Sequence, residues 1–126
     1  MTNQQQLLTA LVTLPVTYNA DARGRRKQIE SSKYERTMEE IAKQFGGGVL
    51  WQFGSATPRG YWWSRGILYK DDLAAVEVDI PNDADSRAWL ENYARDVLLD
   101  RFKQEAIYIK FLGPIEVMTV EVESDK

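Results

Sequence analysis

The sequence predicts an α+β fold: a mainly antiparallel sheet with two helices packed side by side on one of its faces. Three observations predict it. Residues 7–18 alternate with period two, and Leu8, Ala10, Val12, Leu14, Val16 and Tyr18 make one fully apolar face. Two later segments carry apolar residues at helical spacing along a single stripe: Tyr34, Met38, Ile41, Ala42 and Phe45, then Leu90, Tyr93, Ala94, Val97, Leu98 and Phe102. Two helices with one apolar stripe each cover one side of a sheet and not both.

The chain of 126 residues is expected to form one domain, 1–126, with 1–6 and 123–126 frayed. An apolar fraction of 44% and an aromatic fraction of 11% exclude a disordered chain. The net charge of −3 weighs against a general nucleic-acid binder. Cysteine and histidine are both absent. That excludes disulfides, thiolate chemistry, Cys/His zinc sites and the Ser-His-Asp triad. No metal and no cofactor are expected. The first residues, MTNQQQ, lack the positive start of a secretory signal, and the longest apolar run, 7–16, is far short of the ~20 residues that span a bilayer. The expectation is a cytoplasmic protein with no membrane partner.

Taken in order, residues 7–18 form the first strand, and residues 19–31 have no apolar period and read as a loop or partly mobile arm. Ser32-Lys-Tyr-Glu35 fits a capping box for the first helix, and Gly46 stands where a left-handed C-cap is wanted. Residues 49–53 predict a short strand with Val49, Trp51 and Phe53 on one face; 54–60 is a loop. Residues 61–70 predict a strand interrupted by a bulge or tight turn at Ser64-Arg-Gly66, and Lys70-Asp-Asp72 predicts a turn. Residues 73–80 alternate again, and the polar run 81–85 offers caps for the second helix. Residues 106–112 predict a strand, Gly113-Pro114 a turn and 115–122 a last strand. The order β-α-β-β-β-α-β-β resembles the ferredoxin-like split β-α-β plan with an added hairpin strand; the resemblance is to an architecture that hosts many functions.

The stretch 46–72 concentrates candidate chemistry, with three of the four tryptophans. Its glycine run follows a helix and precedes a strand, the reverse of a phosphate loop, so it reads as a cap and turn. Trp62 and Trp63 are neighbours in a strand and must face opposite ways, so one is expected in the core and the other on the far face or a rim. With Tyr61, Tyr69, Arg59 and Arg65 they form the candidate binding or interface set, in which an arginine could stack on a ring or grip an anion. Arg23, Arg25, Arg26 and Lys27 are candidate anion or nucleic-acid contacts, although a solvated loop fits the acidic whole better. Asp71, Asp72, Glu77 and Asp79 are the densest carboxylates, but alternation suits a wet strand face better than a metal or acid–base pair.

The face opposite the helices should carry Leu7, Leu11, Leu73, Ala75, Tyr108 and one tryptophan, too apolar a patch to leave in water. The expected partner is therefore a second copy of the chain meeting that face. No motif assigns an activity. The sequence points to a homo-oligomeric binding or interaction module rather than an enzyme. The alternatives are a small enzyme with a cleft of Arg, Tyr, Trp and carboxylates near residues 59–79, or a nucleic-acid-associated protein using the loop 23–27.

Overall fold

The computed structural model describes residues 6–53 and 57–123. Most of the expected frayed ends, and residues 54–56 of the expected loop, lie outside them. The order is β1 (Leu7–Pro15), α1 (Ser31–Phe45), β2 (Val49–Trp51), β3 (Arg59–Ser64), β4 (Ile67–Pro81), α2 (Ala84–Tyr93), a π-helical turn (Ala94–Leu98), α3 (Leu99–Arg101) and β5 (Tyr108–Ile115). The sheet is antiparallel throughout, in the order β2-β4-β1-β5, with β3 also on β4. As predicted, the even-numbered residues of β1 are buried: Leu8, Ala10, Val12 and Leu14 meet Ile80, Val78, Val76 and Ala74 of β4. The helices close this side. Their predicted stripes supply Tyr34, Ile41, Leu90, Tyr93, Ala94, Leu98 and Phe102 to the core, with Met38, Phe45 and Val97 packed against it. Phe45, Trp89 and Tyr93 join α1 to α2 in an aromatic run, with centroids 5.3 and 4.9 Å apart.

Pairing overrides local turn chemistry in β4. Lys70-Asp-Asp72, expected as a turn, lies inside this 15-residue strand. The backbone at Asp71 and Asp72 pairs with Gly60 and Arg59, and the two carboxylates are neutralised by Arg26 at 2.6 Å and Arg59 at 3.3 Å. Of the bulge or tight turn expected at Ser64-Arg-Gly66, the structure has the tight turn, a two-residue hairpin. Arg65 and Gly66 both take positive φ, 52° and 77°, as a twist-matched hairpin requires. Leu73 N–H donates to Pro58 O, while Asp72 O accepts from Val16 N–H. Neighbouring residues of a strand point their backbone groups to opposite edges, so β3 lies on the β2 side of β4, away from β1. β2 and β3 are thus one interrupted edge: from Trp51 to Arg59 eight residues advance against three, Ala75 to Asp72, on β4.

Three further expectations are corrected. The capping box Ser32–Glu35 is not used. The helix begins at Ser31, with Glu30 as N-cap and no side-chain cap bond. Tertiary contacts set this start: Ile29 N–H donates to Val16 O, and the Glu30 carboxylate takes Tyr18 OH at 2.5 Å. Gly113-Pro114, expected as a turn, lies within β5 as a bulge, joined by a cis peptide bond. Leu7 opposes Ile115 while Thr9 opposes Leu112, so three steps on β5 match two on β1. A strand edge tolerates the N–H that proline lacks. The last strand, 115–122, does not form as a separate element. The loop 19–31 is closed by a bridge between Thr17 and Gln28 and by backbone bonds from Arg23 and Arg25 to Asp21 Oδ1. At α2 the expected cap holds: Ser86 N–H donates to Asp83 Oδ1 at 2.7 Å.

Two phenols are buried in this layer. Tyr34 OH donates to Pro15 O at 2.5 Å, and Tyr93 OH donates to Glu40 Oε1 at 2.7 Å. Burial pushes both up to about 12, with Glu40 adding to the effect at Tyr93. A phenol whose folded pKa exceeds its unfolded value of 10 stabilises the fold fully below pH 10 and ceases to as pH rises through 12. Urea unfolding from pH 9 upward should therefore lose on the order of 2 kcal/mol per buried phenol across that window. Tyr34→Phe should flatten the slope, and a slope equal in both proteins would contradict the assignment.

Candidate functional site

The β3–β4 hairpin extends past the end of β1, whose last residue, Pro15, faces Leu73. Beyond that point neither surface of the hairpin has a core against it. This corrects the expected division of the tryptophans. They face opposite ways, but neither is in the core: Trp62 is 43% exposed and Trp63 72%. Trp62 pairs with Tyr69, and Trp63 with Leu68. Trp62 leans back over Gly60 against Leu73; a Cβ at position 60 would lie 3.0 Å from Trp62 Cζ3 and 2.9 Å from Leu73 Cδ1. A side chain at position 60 would force Trp62 or Leu73 to shift. Trp62 therefore shares the surface opposite the helices with Leu73 and Tyr69.

The remaining candidates are spread around the hairpin. Tyr61 faces Lys70, whose ammonium lies 5.8 Å from the ring centroid. Arg59 is tied to Asp72, which raises the guanidinium pKa further and neutralises the charge expected to grip an anion. Arg65 sits at the turn itself. Along the basic loop, Arg25 pairs with Asp21 at 3.5 Å, Arg26 with Asp71 at 2.6 Å and Lys27 with Glu30 at 3.9 Å. Three of its four cations are thus committed to carboxylates, and the Arg26–Asp71 pair fastens the loop to the base of the hairpin.

Strand register composes the surface opposite the helices. One row across the sheet reads Trp51, Ala75, Thr13, Tyr108; the next reads Val49, Glu77, Leu11, Lys110; the next Asp79, Thr9, Leu112; and the last Pro81, Leu7, Ile115. Leu73 and Pro15 extend the first row toward Trp62 and Tyr69. The apolar side chains lie toward the two ends, with the charges between them. Asp79 accepts a 2.8 Å bond from Thr9 Oγ1. The ring of Trp51 stacks on Phe53, with centroids 6.4 Å apart and an interplanar angle of 12°. Residues 49–53 signalled this ridge by alternation, but only the register of β2 with β4 places it beside the hairpin.

The carboxylates 71, 72, 77 and 79 serve ion pairs and wet strand positions. Among the described residues no cluster of three or more carboxylates gathers as a metal ion would need. At the start of α1, Lys33 donates to Tyr18 OH at 2.5 Å and to Arg101 O at 2.8 Å. The Tyr18 bond, with Glu30, raises the Lys33 pKa, which keeps this amine charged and unfit as a base. A hollow of about 610 Å³ lies at the opposite edge of the sheet, between α2 and β5, with Arg87, Arg95, Ile107, Ile109 and Phe111 in its lining. No helix among the described residues is long and apolar enough to cross a membrane. No protein-family model matches the chain, and no match is found among curated proteins.

Proposed function

We propose that the chain is an interaction module that self-associates through the sheet face opposite its helices, with the β3–β4 hairpin as the most exposed part of that surface. One observation carries the reading. Trp51, Ala75 and Tyr108 in one row, continued by Leu73, Trp62 and Tyr69, make an aromatic surface whose Trp51, Trp62, Tyr69 and Tyr108 side chains are exposed, with the Arg26–Asp71 pair between Leu73 and Tyr69. Apolar patches of this kind mark interaction sites, and aromatic side chains supply large contact area at low entropic cost. A two-fold pair is the closed way for one such face to cover itself.

The strand order supports the finer architecture. β1 and β2 both run antiparallel to β4 and are joined across it by α1; β4 and β5 both run antiparallel to β1 and are joined across it by α2. With β2 and β3 taken as one interrupted edge strand, we read the ferredoxin-like split β-α-β plan.

Light scattering at micromolar concentration tests the reading. The particle should exceed one chain, and Leu73→Lys combined with Trp62→Gln should reduce its size while the far-UV dichroism stays unchanged. Tryptophan emission should move to the red on dilution of the unaltered protein. A single-chain particle, or a double variant of undiminished size, would remove the support for this face.

A further inference from the structure

β5 is an edge strand, and Ile115 at its end faces Leu7, the first residue of β1. Residues 116–123 then leave the sheet with no strand partner among the described residues. They are not a polar tail. Val117, Met118, Val120 and Val122 are 53%, 81%, 85% and 97% exposed, and from Met118 on the apolar positions alternate. Alternate apolar positions suit a strand, as the sequence alone suggested for 115–122. No turn signal folds this arm back on its own β5. A tight hairpin wants glycine, asparagine or aspartate at its turn, and residues 115–123 contain none of them and no proline. A free sheet edge of another chain would offer its backbone groups strand partners.

We propose that residues 116–123 cross to a second copy and add as a strand to the free edge of its β5, while the partner's arm does the same in return. A two-fold operation lays β5 and arm of one chain antiparallel to arm and β5 of the other, an isologous contact. One register aligns the chemistry. It sets Thr119 opposite Leu112, Val120 opposite Phe111, Glu121 opposite Lys110 and Val122 opposite Ile109. The faces agree too. The bulge at 113–114 turns Ile115 to the same side as Leu112, so odd-numbered arm residues share a side with even-numbered residues of β5. Val120 and Val122 thus come to the helix side, over Ile109 and Phe111 at the hollow beneath α2. Glu121 and Lys110 come together on the opposite side, the one charged pair of this register. The mode is strand addition, in which main-chain bonds give affinity and alternate side chains give selectivity.

This contact uses the edge away from the hairpin and stands whether or not the sheet faces also pair. The chain has no cysteine, so Leu112→Cys and Thr119→Cys introduced together provide a clean probe. Within one chain the two positions are about 23 Å apart along an extended strand, beyond disulfide reach. Under mild oxidation the double variant should run as a covalent dimer on a non-reducing gel, and each single variant should not. The same cross-link should form when Leu73→Lys and Trp62→Gln are present, which separates this contact from the face. Deleting 116–126 should halve the particle measured by light scattering. A double variant that stays monomeric on the gel, or a truncation that leaves the particle size unchanged, overturns the exchange and leaves the edge open to a strand from a different protein.

Discussion

Phe102→Ala should lower the free energy of unfolding by about 4 kcal/mol, among the largest effects of any single apolar truncation in this chain. Phe102 is fully buried, follows directly on α3, and meets Tyr34 of α1 with ring centroids 5.4 Å apart. The hole left by the ring cannot close easily. Tyr34 is held by its bond to Pro15 O, and Leu98, one helical turn earlier, is itself fully buried. The helix end is fixed as well: Phe102 N–H donates to Leu98 O, and Lys103 N–H to Asp100 O. The cavity cost therefore adds to the lost transfer energy. For a chain of this length the loss corresponds to a fall in Tm of roughly 15 °C, measurable by calorimetry or dichroism. Phe111→Ala, at a half-buried position on edge strand β5, should cost less than half as much. Equal losses at the two sites would mean that Phe102 does not close the core between the helices and the sheet.

Phe102 belongs to the part of the fold that was legible in the sequence. Period-two alternation in β1 and the two helical stripes are local signals, and every residue of one stripe shares a single environment. Three features were not legible, for one physical reason. The aspartates at 71 and 72 look like turn formers until Arg26 and Arg59, supplied by the loop and by β3, neutralise them within a paired strand. The start of α1 is set by Tyr18 and Val16, at least 13 residues before it, and not by its own serines. The tryptophan pair obeys strand alternation, yet the rule that one side of a strand meets the core fails where the hairpin outruns β1. The candidate site was legible in composition, as a concentration of tryptophans, and illegible in shape. Only the register of β2 with β4, β4 with β1 and β1 with β5 joins Trp51 and Tyr108 into one surface.

Arg101→Ala should cost about 2 to 3 kcal/mol at neutral pH through a different mechanism, and its cost should depend on acid. The guanidinium reaches Glu40 Oε1 at 2.7 Å, Thr37 Oγ1 at 2.9 Å and Tyr93 OH at 3.2 Å, and so ties the end of the second helical segment to the middle of α1. Truncation leaves a carboxylate, a fully buried threonine and a buried phenol without their common donor. Burial alone would raise the Glu40 pKa, but the bonds from Tyr93 and Arg101, with the charges of Arg101 and Arg36, more than reverse it and hold the carboxyl below its ordinary 4.5. A carboxyl with a lowered folded pKa adds stability that is present above pH 4.5 and is lost as pH falls through the folded value. The native protein should therefore weaken in acid through Glu40. The alanine variant, whose carboxyl has lost its main cation, should weaken less, and the gap between the two should narrow from pH 7 toward pH 3. Replacing both partners, Arg101→Met with Glu40→Leu, should recover most of the loss at pH 7, because no charge is then left half-buried without a partner. Urea titrations of the three proteins at both pH values decide the matter. A gap that is the same at pH 7 and pH 3 would show that Arg101 contributes through the packing of its stem rather than through Glu40.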